Sequence, residues 1–446
     1  MNLLKRKIDD YLIKWKNDPN KMPLIIKWAR QIWKTSSIRR FWKENYKNFI
    51  EINFAFDKQY KDIFEQWYRV DAIIQAISIH DTNLKFIPGE TLLFFDEMQE
   101  CPNVATSLKS FREDWRYDVI CSWSLMWINY EKIESNSVWN KIDYEMKSMD
   151  FEEFLWAKWY TQDQIADLYQ HMLNIQPLSQ TAFNVFSECF KEFMVLWWMP
   201  AIIYQFVTNK NYSGILSMQK QIILDYEEDI TKYAVWLDKT KILKIYREIP
   251  VFLWNDNKKF QIIKIWNWAR NRDFVWTIDW LINAWIINIS YWLHNLELPL
   301  KGNYEPNNYR LYFSDTGLLI GSLDDEVQQD LRDNKNFNTY KWAIYENIIG
   351  ELLGKQWYQL YFYRNPRSSI EMDFFVRDSE SLVPVEVKAW NSATPSLKKL
   401  IESSNYPSIK YWIKLCNQNI WFNGQFFTFP HFLTWWIKRF LNEKNK

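Results

Sequence analysis

Residues 22–36 read MPLIIKWARQIWKTS, and this stretch decides the fold of the first part of the chain. Its apolar start, MPLIIK, is typical of a buried parallel strand. The next residues have the spacing of a phosphate-binding loop, G-x-x-x-x-G-K-[ST], but Trp28 and Trp33 stand where that motif has glycine. Lys34 and Thr35 match the motif and open a predicted helix. The strand–loop–helix order therefore predicts a phosphate-binding loop with two unexpected residues.

Glycine and tryptophan occur in unusual proportions throughout the chain. An average glycine usage of about 7% predicts roughly 31 glycines in a chain of this length, whereas the chain has 8 glycines and 28 tryptophans. The codon UGA is read as tryptophan in one variant genetic code and as glycine in another. The composition therefore indicates that many glycines are written as tryptophan. A chain that is truly rich in tryptophan is the alternative.

The two residues need opposite surroundings, so sequence position helps to separate the two interpretations. Glycine belongs in turns and beside phosphates, and tryptophan belongs in cores. The tryptophans outside the loop whose positions favour glycine are Trp42, Trp159, Trp197, Trp198, Trp285 and Trp390. Trp156, Trp280 and one of Trp435 and Trp436 are predicted to be true tryptophans.

The overall composition excludes several classes of protein. The 446 residues include 55 basic and 54 acidic side chains, so no global charge points to nucleic acid or membrane as a partner. Four cysteines without C-x-x-C spacing favour neither a zinc site nor a disulfide framework, and a cytoplasmic location is expected. The charged N-terminus does not resemble a signal peptide. The most apolar run, residues 193–207, contains Pro200 and is too short to span a bilayer.

Strands and helices alternate over the first 150 residues. Further strands are predicted at NFIEINF (48–54), TLLFFD (91–96), YDVICSWS (117–124) and NKIDYEM (140–146), with helices between them. Asp96 and Glu97 follow a strand of continuous apolar residues. Because ligands of parallel α/β sheets bind at the carboxyl ends of the strands, these carboxylates are expected beside the loop. The predicted fold class is α/β, with a P-loop parallel sheet.

The predicted loop chemistry assigns a role to each polar group. Lys34 contacts the β- and γ-phosphate oxygens of ATP, Thr35 and Asp96 hold Mg²⁺, and Glu97 polarises the attacking water. A solvated helix start and a surface turn are the structural alternatives for these two pairs. Arg112 and Arg116 are candidate arginine fingers. The residues predicted to hold the nucleotide are Trp28, Ala29, Arg30, Gln31, Ile32, Trp33, Lys34, Thr35, Ser36 and Ser124.

The remaining chain divides into three predicted domains after the P-loop core of residues 1–150. Residues 151–235 read as a helical lid, and residues 236–330 have the helix, turn and strand order of a winged-helix-like unit. Residues 331–446 have the order helix, three strands, helix, strand, which predicts a second α/β domain.

Acidic residues mark the C-terminal α/β domain. Asp373 and Glu386 lie on successive predicted strands, and Glu346 lies on the preceding helix. Glu386 and Lys388 share one strand face because side chains alternate with period 2. This D…E-x-K order resembles restriction-endonuclease-like nucleases, in which the three carboxylates would hold Mg²⁺ and Lys388 would activate water. An inactive, nucleic-acid-binding version and mere surface pairing of Glu386 with Lys388 are the alternatives.

The whole arrangement resembles a large prokaryotic family of archaeal-type AAA+ ATPases. The resemblance covers nearly the whole chain and is carried by KWARQIWKT, LLFFDEMQECP, DFEEFLWA, YRLYFSDTGLL, AIYENIIGELL and EMDFFV…PVEVKAW. It implies ATP binding, a winged-helix-like middle and a C-terminal domain of uncharacterised role. The family usually has glycine where this chain has Trp28, Trp33, Trp123, Trp127, Trp197, Trp198, Trp285 and Trp390.

Two hypotheses of function follow. In the first, ATP hydrolysis powers a nuclease-like domain that acts on or binds DNA. In the second, the nucleotide state is a regulatory switch that controls a protein partner, and the nuclease-like domain is inactive. Both require ATP and Mg²⁺. The candidate partners are DNA and further copies of this chain, and no membrane is expected.

Overall fold

The computed structural model describes residues 4–28, 32–124, 139–196, 198–233, 238–255, 258–266, 270–333, 337–365, 370–389, 397, 400 and 406–444. The chain forms two compact units, residues 1–148 and residues 149–446. The predicted division of the second unit into three domains stays a prediction. Among the described residues, no helix is long and apolar enough to cross a membrane.

The first unit is built on a five-stranded sheet with the strand order β2-β3-β4-β1-β5. Each pair of neighbouring strands runs parallel. The predicted parallel α/β sheet is therefore confirmed. The strands are β1 (Leu24–Trp28), β2 (Asn48–Asn53), β3 (Thr91–Asp96), β4 (Asp118–Ser124) and β5 (Ile142–Met146). The helices are α1 (Lys7–Lys16), α2 (Lys34–Asn45), α3 (Lys61–Gln66), α4 (Val70–His80) and α5 (Val104–Asp114).

Burial explains why β3 reads as a continuous apolar run. All six of its residues are buried, including Asp96 at its end. A strand covered on both faces of a parallel sheet needs apolar side chains at successive positions. The carboxyl ends of β1, β3 and β4 lie side by side, which brings the loop after β1 and the carboxylates after β3 to one edge of the sheet.

The second unit begins with a helical region, as the sequence predicts. Asp150 caps its first helix by accepting a hydrogen bond from the Glu153 backbone N–H, at 2.9 Å. The helices of this region are α6 (Phe151–Ala157), α7 (Gln162–Leu173), α8 (Gln180–Leu196), α9 (Pro200–Asn209), α10 (Ile215–Tyr233) and α11 (Lys239–Trp254).

A helix and an antiparallel hairpin follow, with short helix α12 (Ile262–Ile265) before them. Helix α13 (Val275–Asn283) ends near Trp285, whose φ is 59°, and strands β6 (Ile287–Leu293) and β7 (Tyr304–Phe313) then pair antiparallel. This order is the predicted one. However, β6 also pairs parallel with strand β8 (Leu360–Arg364), so the predicted domains 236–330 and 331–446 share a sheet.

The rest of the second unit contains, among its described residues, four more helices and the remaining strands of two sheets. The helices α14 (Thr316–Gly321), α15 (Asp325–Arg332) and α16 (Phe337–Lys355) precede β8, and α17 (Ile437–Glu443) closes the chain. The sheet orders are β7-β6-β8-β9 and β10-β11-β12-β14-β13. The strands not yet given are β9 (Glu371–Met372), β10 (Phe374–Arg377), β11 (Leu382–Val387), β12 (Trp412–Cys416), β13 (Trp421–Phe422) and β14 (Phe426–Pro430).

One predicted C-terminal strand is divided in the structure. The described part of the run SSIEMDFFV contains β9 and the start of β10, with Asp373 at the break between them. The Asp373 carboxylate accepts a hydrogen bond from the Val387 backbone N–H, at 2.9 Å. This bond fixes Asp373 beside the end of β11. The predicted helix TPSLKKLIES lies mostly outside the described residues.

Candidate functional site

The predicted phosphate-binding loop begins at the end of β1. Trp28 is the last residue of that strand, and Ala29, Arg30 and Gln31 lie outside the described residues. Ile32 is buried, and Trp33 precedes α2 with φ 62° and ψ 31°. This left-handed conformation is unfavourable for a residue with a β-carbon and is ordinary for glycine. The backbone at position 33 thus has the conformation of the glycine that the motif predicts.

Lys34 makes the central contact of the site. Its Nζ lies 2.6 Å from Glu97 Oε1 and 3.6 Å from Asp96 Oδ1. The lysine at the start of α2 thus meets both carboxylates that follow β3, although they are far from it in sequence. The structure brings together the three residues that the sequence assigned to phosphate, magnesium and water.

Asp96 is held by three polar side chains from three elements. Thr35 Oγ1 lies 3.4 Å from Asp96 Oδ2, Asn53 Nδ2 donates to the same oxygen at 3.0 Å, and Ser122 Oγ donates to Oδ1. A hydroxyl oxygen and a carboxylate oxygen at this spacing are the hard donors that Mg²⁺ prefers. Thr35 and Asp96 therefore fit a magnesium ion.

Glu97 has a constrained position beside Asp96. Its φ of 54° places it in the left-handed region, and its backbone N–H donates to Ser122 Oγ at 2.8 Å. Glu97 Oε1 contacts Lys34, and Gln99 Nε2 donates to Oε2. Both carboxylate oxygens are thus engaged, and the side chain is fixed toward the loop.

The sequence did not predict two of these supporting residues, Ser122 and Asn53. The sequence predicts Ser124, at the end of β4, among the residues that hold the nucleotide, and assigns no role to Ser122. The Ser124 side chain lies outside the described residues, whereas Ser122 contacts Asp96 and Glu97. Asn53 ends β2 at the same sheet edge, so the rule that ligands lie at strand ends would have found it. Of the candidate arginine fingers, Arg116 is bonded to Asp71 and Asp114.

Removing the Ser122 hydroxyl is expected to destabilise the first unit. Ser122 is fully buried, so Ser122→Ala leaves the Glu97 backbone N–H without its acceptor, at a cost of about 1–3 kcal/mol. Urea unfolding measures this change. Ser107→Ala is the matched control, because Ser107 is equally buried but donates only to Val104 O in its own helix. Equal losses of stability in the two variants would contradict the role of Ser122 as a bridge between Asp96 and the Glu97 backbone.

The C-terminal acidic residues also come together, within the second unit. Glu346, Asp373 and Glu386 are at most 5% exposed, and Lys388 pairs with Glu386. Burial raises the pKa of Glu386 to about 8, and the neighbouring Asp373 carboxylate adds to the rise. The interpretation of Glu386 and Lys388 as a simple surface pair does not agree with this burial.

Two cations that the sequence did not predict lie in the same cluster. Lys258 Nζ contacts Glu346 and lies 3.8 Å from Asp373 Oδ1, and Arg310 Nη1 lies 3.3 Å from Glu346 Oε1. Burial lowers the pKa of Lys258, and the Asp373 carboxylate opposes that shift. Since these basic groups already contact the carboxylates, the arrangement does not fit a divalent metal ion. The described residues contain no group of three or more typical ligands placed to hold one.

A parallel α/β sheet with a lysine–threonine helix start and an aspartate–glutamate pair at its carboxyl edge defines a P-loop nucleotide-binding domain. Residues 20–155 match the family described as AAA domain. The first unit therefore has the P-loop AAA fold. Residues 187–329 and 342–432 match two families described as Domain of unknown function, DUF8612 and DUF4143. No curated protein matches the chain.

Several solved structures are similar in part. A Walker-type ATPase of Pyrococcus abyssi is 11% identical, with 72% of this chain and 96% of that chain covered and a TM-score of 0.42. C. elegans PCH-2 is 11% identical, with 48% and 64% covered and a TM-score of 0.29. Drosophila ORC bound to DNA is 12% identical, with 73% and 93% covered and a TM-score of 0.23. These TM-scores lie below 0.5, so the similarities do not indicate a function for this chain.

Proposed function

We propose that this chain is an ATPase that hydrolyses ATP with Mg²⁺ and couples hydrolysis to the second unit. The contact of Lys34 with the Asp96–Glu97 pair, at the carboxyl edge of an AAA-type sheet, is the observation that carries this proposal. A surface turn and a solvated helix start would not produce it. Lys34, Asp96 and Glu97 are all largely withdrawn from solvent, with side-chain exposures of 15%, 5% and 24%.

The roles of the residues follow from their contacts. Lys34 binds the β- and γ-phosphates, and these compete with Glu97 for its ammonium group. Release from Lys34 leaves the Glu97 carboxylate able to accept a proton from the attacking water, while Gln99 keeps it oriented. Thr35 and Asp96 would hold Mg²⁺, which supplies neutralisation of phosphate charge when bound.

DNA is the proposed target of the second unit, through the nuclease-like arrangement of α16 and strands β8 to β12. A regulatory nucleotide switch that binds a protein partner is the second candidate. The contacts of Lys258 and Arg310 with the acidic cluster favour a nuclease-like domain without cutting activity, as that candidate requires. We also propose a cytoplasmic location and assembly of several copies, as the resemblance to AAA+ enzymes implies.

Steady-state ATPase activity with and without DNA tests these alternatives. The assay uses the full chain with glycine at positions 28 and 33. Stimulation by DNA that falls steeply with salt supports the DNA-acting enzyme, because phosphate contacts release counterions. Hydrolysis that no DNA form changes favours the regulatory switch. Absence of nucleotide binding and hydrolysis in this chain would refute both.

We propose further that a subset of the tryptophans are glycines in the native protein. Among the described residues, nine non-glycine residues have positive φ, and six of them are tryptophans: Trp33, Trp115, Trp139, Trp159, Trp285 and Trp357. Tryptophan supplies only 28 of the 446 residues, so this share is far above chance. Trp139 and Trp159 are also 85% and 84% exposed, where a true tryptophan would lose its packing.

Other tryptophans have the surroundings of a true indole. Trp198 is fully buried, stacks on Phe193 at 4.6 Å and donates from Nε1 to Phe193 O at 2.9 Å, in contrast to the expectation that its position favours glycine. Trp42 lies inside α2 and stacks on Phe49, so the expectation that it follows a helix is wrong. Trp197 and Trp390 lie outside the described residues. Mass spectrometry of native peptides identifies the residue at each position directly.

Replacing an exposed, left-handed tryptophan by glycine is expected to stabilise the second unit. Trp159→Gly relieves a strained backbone but also gives the unfolded chain more conformational freedom. The net gain in the free energy of unfolding is expected to be up to about 1 kcal/mol. Trp280→Gly is the matched contrast, because Trp280 is 7% exposed inside α13. It is expected to cost about 3–5 kcal/mol. Urea unfolding measures both, and a loss of stability in Trp159→Gly would count against recoding at that position.

A further inference from the structure

An acidic cluster in the second unit draws its side chains from five segments. Its carboxylates are Glu346 on α16, Glu371 on β9, Asp373 at the break before β10, and Glu386 on β11. Its basic residues are Lys258 before α12, Arg310 on β7, and Lys388 just after β11. The basic groups at positions 258 and 310 come from the predicted winged-helix-like region. The carboxylates come from the predicted nuclease-like region.

Lys258 lies at the centre of this cluster. Its side chain is fully buried, its Nζ contacts Glu346, and Asp373 Oδ1 lies 3.8 Å away. The segment is fixed to the hairpin, because the Phe260 backbone N–H donates to Tyr309 O at 3.0 Å. The amino group therefore occupies the space between two carboxylates that a nuclease of this kind would use for a metal ion.

Arg310 and Tyr312 both contact Glu346 Oε1. Both side chains lie on one face of β7, since side chains alternate along a strand. Arg310 bonds Glu346 Oε1 at 3.3 Å and also bonds Glu371, and the Tyr312 hydroxyl donates to Glu346 Oε1 at 2.6 Å. Arg310 is 1% exposed, so its guanidinium has exchanged water for these carboxylates.

We propose that Lys258 and Arg310 are the resident counter-ions of this cluster, so that it is an internal ion-pair centre and not a metal site. A divalent cation would have to displace a buried amino group from Glu346 and would stand close to the Arg310 guanidinium. Like charges at such spacing repel strongly where water is excluded. Lys258 then blocks metal-dependent cutting by this cluster.

Mn²⁺ binding, followed by electron paramagnetic resonance, tests the proposal in the full chain. All variants carry Asp96→Asn, so that the candidate nucleotide site contributes no metal binding and failure of the ATPase proposal does not affect the result. In the chain that keeps Lys258, we expect no Mn²⁺ ion to bind at the acidic cluster, so Asp373→Asn should not change Mn²⁺ binding. We expect Lys258→Met to gain a site at least about tenfold tighter than any in its parent, and Lys258→Met/Asp373→Asn to lose it.

Two results would overturn the proposal. In the first, the chain that keeps Lys258 binds Mn²⁺, and Asp373→Asn abolishes that binding. In the second, a folded Lys258→Met variant gains no site. The measurement is made with Trp and with Gly at position 342, because the Trp342 ring centre lies 3.0 Å from Lys258 Nζ. Because the proposal depends on the ion pairs of Lys258 and not on the Trp342 ring, we expect the same Mn²⁺ binding with tryptophan and with glycine at position 342.

A double-mutant cycle covers the case in which Lys258→Met does not fold. Removing one partner of a buried pair leaves an uncompensated charge, so the melting temperature is expected to fall by about 5–15 °C. Lys258→Met/Glu346→Gln removes both charges and is expected to recover most of that loss. Additive losses in the double variant would show that the two groups are not coupled, and would refute the pairing.

Discussion

A chain with glycine at positions 28 and 33 is expected to bind ATP at least about a hundredfold more tightly than the chain with tryptophan at both. Phosphate oxygens are bound by backbone N–H groups of a closely curled loop, and glycine lets the backbone approach them. Two indoles at these positions would fill that space. The left-handed backbone at Trp33, with φ 62°, already has the conformation that glycine favours.

Titration with a fluorescent ATP analogue measures this difference. Trp159→Gly is the matched control, since it replaces another left-handed tryptophan, with φ 70°, in the second unit. It is expected to leave ATP affinity unchanged. Equal affinity of the tryptophan and glycine chains would contradict the recoding of this loop. Failure of both to bind would contradict the nucleotide site itself.

Glu97→Gln, in the chain with both glycines, is expected to lower kcat by about 10²- to 10⁴-fold, the usual contribution of a positioned general base. ATP binding should persist, because the amide keeps the size of the carboxylate and Lys34 stays available to phosphate. Lys34→Ala is expected to weaken binding as well, since it removes the charge that contacts the phosphates. Single-turnover hydrolysis and equilibrium binding separate the two effects.

Glu100→Gln is the matched control for this experiment. Glu100 lies three residues further along, and its carboxylate pairs with Lys61 at 3.3 Å instead of Lys34. Its replacement is expected to leave kcat within about threefold, because the half-buried Glu100 carboxylate pairs with Lys61 and not with the lysine of the loop. A similar loss of kcat in both variants would contradict the assignment of Glu97 as the base.

Local patterns in the sequence predicted most of the first unit. The apolar run before Asp96 predicted β3 because a strand covered on both faces needs apolar side chains at every position. The loop motif predicted α2 and the meeting of Lys34 with the carboxylates because parallel strands end at one edge. The error at Trp42 concerned a helix end, which local pattern defines least well.

The support of Glu97 and Asp96 was harder to predict. Ser122 and Ser124 both end β4 in the sequence, and pattern alone does not distinguish them. The structure distinguishes Ser122 through its bonds to Asp96 and to the Glu97 backbone. Period-2 alternation along a strand predicts that both serines lie on one face of β4. The register of β4 against β3, in which Cys121 pairs with Phe95, decides that Ser122 is the serine beside Asp96.

The sequence by itself determined the α/β class, the strand and helix on either side of residues 29–33, the carboxylate pair after β3 and the acidic residues of the C-terminal region. Each of these is encoded by neighbouring residues, through periodicity or a short motif. Only the tertiary structure brought Lys258 and Arg310 to Glu346. Those contacts join segments far apart along the chain, and burial turns them into strong interactions by excluding water. No local pattern specifies which distant basic side chain fills a buried acidic cluster.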